Sequence, residues 1–185
     1  VHMAGHFAPF ADKTREVTFT AVSLRDGEVF LNATRVSGVD GTDAAAVSRA
    51  ELLERENVME LVDALRRNVR GFERAVLLAT SPLGIRESRN ILGDYTITRD
   101  DVLSAVKFPD GVACGAYPID IHDPRGGKTQ FQFIREGGYY TIPYRAMLPA
   151  GLEGVLVCGR CISAAHEAHG TTRIMGCVLS QGEAA

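Results

Sequence analysis

The chain has 185 residues, 45% hydrophobic and 23% charged, with a net charge of −3, a composition that excludes wholesale disorder. No basic block marks a nucleic-acid footprint, and no apolar run is long enough to span a bilayer. Cys114, Cys158, Cys161 and Cys177 are too sparse for a disulfide scaffold, so the chain reads as belonging to a reducing, cytoplasmic compartment.

Residues 1–14 read as irregular or cloning-derived, since Val1-His2-Met3 has the form of vector sequence ahead of an initiating Met. Val17 to Leu24 alternates as a strand, Asp26-Gly27 is a hairpin turn signal, and Glu28 to Val36 returns. Ser48 and Glu51 stand at capping-box spacing, and Val58, Leu61, Val62, Leu65 and Val69 share one helical face. The spacing predicts a helix over 48–68, stopped at Gly71, with Glu54, Arg55, Glu56, Arg66 and Arg67 on a solvated outer face. Ala75 to Thr80 reads as a short buried strand closed by Ser81-Pro82, and Ile85 to Leu92 as extended. Thr98 can cap a short helix through Val102 to Val106, with Asp100 and Asp101 in its first turn. Val112 to Ile121 is extended, and Asp123 to Lys128 is a turn. Thr129–Ile134 and Tyr139–Tyr144 form a second expected hairpin across Glu136-Gly137-Gly138.

The last stretch, Val155 to Gly176, concentrates the residues capable of chemistry. An apolar strand signal (Val155, Leu156, Val157) enters a turn at Gly159, and Arg160, Cys161, Ser163, His166, His169, Thr171, Thr172 and Arg173 follow before an apolar, helix-compatible run. A strand emptying into a glycine turn and then a helix N-terminus is where α/β proteins put ligands. The terminal Gln181-Gly182-Glu183-Ala184-Ala185 has no clear helix stop, so the chain reads as a piece of something longer.

Several patterns leave more than one chemistry open. Cys158-Gly159-Arg160-Cys161 is a C-x-x-C, compatible with a redox thiol or with buried structural sulfurs. His166 and His169 share a helical face, but H-E-x-x-H spacing is absent, so they read as lining a site and no metal is assigned. In Arg86-Glu87-Ser88-Arg89 alternate residues face opposite ways. A fixed guanidinium there could hold a carboxylate, stabilise an anionic cofactor or carry surface charge. Tyr117, Asp120, His122 and Asp123 form a second polar cluster in which His122 is a candidate acid or base. Neither G-x-G-x-x-G nor G-x-x-x-x-G-K-[ST] occurs, so no intact phosphate cradle is present.

Seven stretches together resemble a known family. They are Asn32-Ala33-Thr34-Arg35-Val36, Gly38-Val39-Asp40-Gly41-Thr42-Asp43, Gly84-Ile85-Arg86-Glu87-Ser88-Arg89, Gly93-Asp94-Tyr95-Thr96-Ile97-Thr98, Tyr117-Pro118-Ile119-Asp120-Ile121-His122, Ile142-Pro143-Tyr144-Arg145 and Val157-Cys158-Gly159-Arg160-Cys161-Ile162-Ser163. From about Val29 to the end, in this order, the chain resembles FAD-dependent oxidoreductases of the two-dinucleotide-binding-domain type. The resemblance implies a mixed α+β and α/β chain: a mixed-sheet substrate (cap) domain with one long helix over 15–150. A strand–turn–helix of an incomplete Rossmann-like FAD domain would follow over 151–185, with a helix beginning near Thr172 aimed at the flavin. It also implies FAD as cofactor, held weakly or not at all by this chain alone, and hydride transfer between flavin and a small-molecule substrate. Gly159, Arg160, Cys161, Ser163, His166, Gly170, Thr172 and Arg173 would be cofactor-side, and Arg86, Arg89, His122 and Tyr144 substrate-side. Arg160 departs from the acidic residue common at its position in the wider superfamily. No nucleic-acid or membrane partner is expected, and an oligomer is left open. The alternatives are a non-catalytic ligand- or partner-binding domain and a Cys/His zinc or thiol-redox protein.

Overall fold

The computed structural model describes residues 18–20, 25–121 and 130–185. The expected lead over 1–14, the turn Asp123–Lys128 and His122 lie outside these residues. The described chain forms two compact units that divide after Gly84. The expected boundary near residue 150 falls inside the second unit, where the Val157 N–H donates to the Met147 carbonyl.

The first unit is a hairpin and a helix. β1 (Thr18–Thr20) pairs antiparallel with β2 (Phe30–Asn32), and the Glu28 N–H closes the turn on the Arg25 carbonyl across Asp26-Gly27. The long helix α1 spans Ala44–Asn68, one turn earlier than expected, because the Asp43 side chain accepts from the Ala45 N–H at the N-cap. With the cap at Asp43, Ser48 lies inside the helix and donates back to the Ala44 carbonyl. Leu61, Ala64, Leu65 and Val69 pack with Leu31, Ala33 and Phe72 into the core of this unit. Glu54, expected on the solvated face, is buried and accepts from the Asn57 amide. The buried stripe is therefore wider than the apolar periodicity suggests.

Residues 75–80 carry no regular secondary structure and are not the buried strand expected. Among the described residues no strand pairs with them, and Val76 and Leu78 are exposed. Helix α1 holds this segment by side chains instead: Arg66 Nε donates to the Ala75 carbonyl, and Glu51 accepts from the Leu83 N–H.

The second unit is built on an interrupted ribbon. Helix α2 (Arg99–Leu103) opens with a full capping box between Thr98 and Asp101. β3 (Gly111–Gly115) then pairs antiparallel with β6 (Tyr140–Pro143), and β4 (Ile119–Ile121) with β5 (Gln130–Gln132). The expected hairpin between 129–134 and 139–144 does not form. Those two segments lie end to end along one arm of the ribbon, and residues 111–121 supply the other arm. The pairing of Gly115 with Tyr140 accounts for this register. A Cβ on Gly115 would lie 2.6 Å from Cε1 of Tyr140 and closer still to its ring tip, so the fully buried tyrosine lies across the glycine.

Ile119 and Ile142 of the ribbon pack with Ile97, Val102, Met147, Ile162, Ala168 and Cys177 into one core, each worth roughly 1.5–3 kcal/mol when large and fully buried. Residues 155–157, expected as a strand, are unpaired as a strand among the described residues, and Val155 is exposed. The helix expected from near Thr172 is α4 (Met175–Ala184), which starts three residues later, and it is preceded by a separate short helix, α3 (His166–Thr172).

Candidate functional site

The turn at Gly159–Cys161 carries the first group of candidate residues. Gly159 has φ +88°, a left-handed conformation that costs a residue with a Cβ roughly 1–2 kcal/mol, so a glycine is required where the extended chain reverses. The turn closes when the Ile162 N–H donates to the Gly159 carbonyl, and its other carbonyls are taken from outside. His169 Nε2–H donates to the Arg160 carbonyl at 2.8 Å, and the Ile91 N–H donates to the Cys161 carbonyl at 2.9 Å. Arg160 and Cys161 are exposed; the Cys161 N–H is taken up within the 3-10 turn, while the Arg160 N–H has no main-chain partner among the described residues. The turn therefore presents one free amide, a guanidinium and a thiol. Cys158 packs against the core, while the Cys161 thiol donates weakly to the Cys158 carbonyl, and both cysteines are free.

Helix α4 packs on this turn through Val178 and Gln181, and it starts without a side-chain cap and with no acidic residue in its first turn; Met175 and Gly176 there are exposed. An uncapped N-terminus carries unsatisfied N–H groups and a partial positive charge, which suits an anionic group. Gly159, Ser163, Gly170 and Thr172 are buried. Ser163 exchanges a hydrogen bond with Thr96. Gly170 lets α3 lie on β4, since a Cβ there would stand 2.9 Å from the Asp120 carbonyl oxygen. The Thr172 hydroxyl is fully buried with no hydrogen-bond partner among the described residues.

A charged cluster forms the second group. Asp120, buried on β4, receives Arg86 Nη1 at 3.4 Å and Arg173 Nη2 at 3.5 Å on the same carboxylate oxygen. Arg173 also donates to the Asp120 main-chain carbonyl. Burial pushes the Arg173 pKa down, the neighbouring Arg86 charge pushes the same way, and Asp120 opposes both. Next to Arg86 in sequence, Glu87 accepts from His166 Nδ1 at 2.8 Å. Arg86 and Glu87 therefore bind β4 and α3 respectively. Arg89 is exposed. Tyr144 is half-exposed after β6, beside Asp110, at the other end of the ribbon from Asp120 and not with Arg86. Among the described residues no three His, Cys, Asp or Glu side chains converge as metal ligands, and no helix is long and apolar enough to cross a membrane.

His169, buried on α3, is held in its Nε2–H tautomer by the Arg160 carbonyl. Desolvation keeps its pKa below the ordinary 6.5, with Arg160's carbonyl and Glu87 opposing. As pH falls through the ordinary range, the unfolded chain takes up a proton that folded His169 refuses, so stability falls with it. Urea midpoints at pH 8 and pH 5 are expected to drop in the wild type and to drop less in His169→Gln. Equal slopes would refute the assignment.

Sequence reasoning missed Gln181, Glu87 and Asp120 as organisers of these groups. Gln181 left one signal, a polar residue four after Cys177 on the only buried stripe of α4 among the described residues; Glu87 and Asp120 stand in the polar stretches at 86–89 and 117–123, but nothing local names their distant partners.

A family model for FAD dependent oxidoreductases matches residues 3–185, and the chain belongs to that family. No curated protein and no solved structure matches it.

Proposed function

We propose that the Gly159–Cys161 turn and the start of α4 line a FAD site, and that the protein exchanges hydride equivalents with a small-molecule substrate. The hydride chemistry is supplied by FAD when bound. What this chain contributes is orientation and charge. The free N–H of Arg160 is placed to donate to a polar cofactor edge, and the uncapped α4 N-terminus favours negative charge. These donors fit an anionic, hydrogen-bond-accepting group, and the observation that carries the reading is the pairing of that open turn with an uncapped helix start. In this reading residues 151–185 serve as the closing strand–turn–helix of a Rossmann-like domain, and 15–150 as the substrate domain. Arg86 and Arg89 hold an anionic part of the substrate, while His122 and Tyr144 are the proton-handling candidates.

Without a G-x-G-x-x-G the chain's own contacts to FAD are few, and weak uptake is expected. Fluorescence titration of the chain with FAD is expected to show saturable binding that Arg160→Glu weakens about tenfold, the scale of losing one charge-assisted hydrogen bond. Flavin emission unchanged at every concentration would overturn the proposal and favour a binding domain of another kind.

A further inference from the structure

We infer that Gln181 is a positioning residue that sets the Gly159–Cys161 turn for its ligand, an inference that rests on the flavin reading of that turn. Gln181 is fully buried in α4. Its Oε1 accepts from the Gly159 N–H at 2.8 Å, and its Nε2 donates to the Thr172 carbonyl at 3.2 Å. Both main-chain groups are ones the local structure cannot satisfy. Gly159 opens a turn, so its N–H has no carbonyl behind it. Thr172 ends α3, so its carbonyl is among the last-turn acceptors that helices leave open. A single side-chain amide thus satisfies two buried main-chain groups and ties the turn and the end of α3 to one point on α4.

The consequence for the site lies in what the clamp leaves open. Gly159's N–H faces inward and is committed to Gln181, and the carbonyls of Gly159, Arg160 and Cys161 are committed to Ile162, His169 and Ile91. The Cys161 N–H closes the 3-10 turn itself, so the N–H of Arg160 remains for a ligand. A left-handed residue followed by right-handed ones aims successive N–H groups at one point, the arrangement that binds anions. Gln181 takes the first of these amides, which fixes the direction of the next, that of Arg160. The close contact of Val178, one turn earlier on α4, with the space beside Gly159 backs the turn from the same helix: a Cβ there would lie 3.7 Å from Val178 Cγ1.

Amide hydrogen exchange on the whole chain tests this with two variants. Gln181→Met keeps the volume and loses both bonds. Gln181→Glu keeps an acceptor for Gly159 whether ionised or protonated. In Q181M the amides of Ile91 and Ile162, which bond the turn away from Gln181, are expected to exchange about tenfold faster, the scale of one unpaired buried group. The amides of Thr141 and Tyr144 on the ribbon should not change, and Q181E should restore Ile91 and Ile162. Unchanged Ile91 and Ile162 in Q181M would show that the turn holds without the clamp. Acceleration of all four amides alike in both variants would make Gln181 a support of the whole unit; either result overturns the inference. FAD titration of the same proteins separates the two readings. If Q181M binds FAD as wild type does, the role toward the cofactor fails. If the wild type ignores FAD while the exchange pattern holds, the flavin reading fails and the clamp on the turn stands.

Discussion

Gly115→Ala should cost the second unit about 3 kcal/mol. Overpacking a filled core costs roughly 1–3 kcal/mol, and here the ring that must move is fully buried and directly opposite on the partner strand. Tyr140 cannot slide aside freely, because its hydroxyl lies 3.0 Å from the Thr171 hydroxyl and approaches the Cys177 sulfur. Displacing it gives up a hydrogen bond worth about 1 kcal/mol as well. The tyrosine also links β6 to α3, since the Thr171 hydroxyl donates onward to the Tyr117 carbonyl, so the strain reaches the helix that carries His166 and His169. Urea unfolding measures the loss, and Gly115→Ala combined with Tyr140→Leu should recover part of it, as contacting residues do in double-mutant cycles. A G115A variant within about 0.5 kcal/mol of wild type, the usual range for surface changes, would remove the argument.

Asp120→Ala should be nearly as damaging, for an electrostatic reason. Removing one partner of a buried ion pair costs roughly 3–5 kcal/mol, because the other charge is left without compensation. The side chains of Asp120 and Arg173 are only 10% and 12% exposed, whereas that of Arg86 is 49% exposed. The loss therefore comes mainly through Arg173, and about 3 kcal/mol is expected. Arg86 is bathed by solvent, and Arg86→Ala should cost under about 1 kcal/mol, the scale of an exposed pair. Added salt should alter the Asp120→Ala effect little, since buried charges are weakly screened. The comparison is the decisive measurement: equal costs for D120A and R86A would show that burial of Arg173 does not set the energetics.

These two variants mark where sequence reading reaches its limit. The apolar face of α1 was legible because its residues recur at helical spacing, and Thr98 and Asp101 were legible as a cap because capping is a matter of three residues. Asp26-Gly27 was equally plain. The cap at Asp43 was obscured by Ser48, a better-spaced capping box that the helix passes over. Strand signals fared worse. Alternation identifies a strand without naming its partner, so 129–134 and 139–144 were paired with each other, although Tyr140 fits only across Gly115. In the same way the apolar runs at 75–80 and 155–157 read as buried strands, yet no described strand lies beside them to complete a ladder.

The turn at Gly159, its neighbours Arg160 and Cys161, and the family membership follow from residues adjacent in the chain or from motifs kept in order along it. Sequence alone determined those, along with α1, α2 and the first hairpin, because each depends on interactions within a few residues. Tertiary structure decided which of the polar residues stay open to a ligand. Arg86 meets Asp120 across 34 residues, Arg173 meets it across 53, and Gln181 reaches back 22 to Gly159. Such contacts depend on how helices and ribbon pack together, and local propensity carries no record of that. Packing turned Ser163, Gly170 and Thr172 inward, left the amide of Arg160 open, and bound the opening glycine of the turn to a glutamine on the last helix.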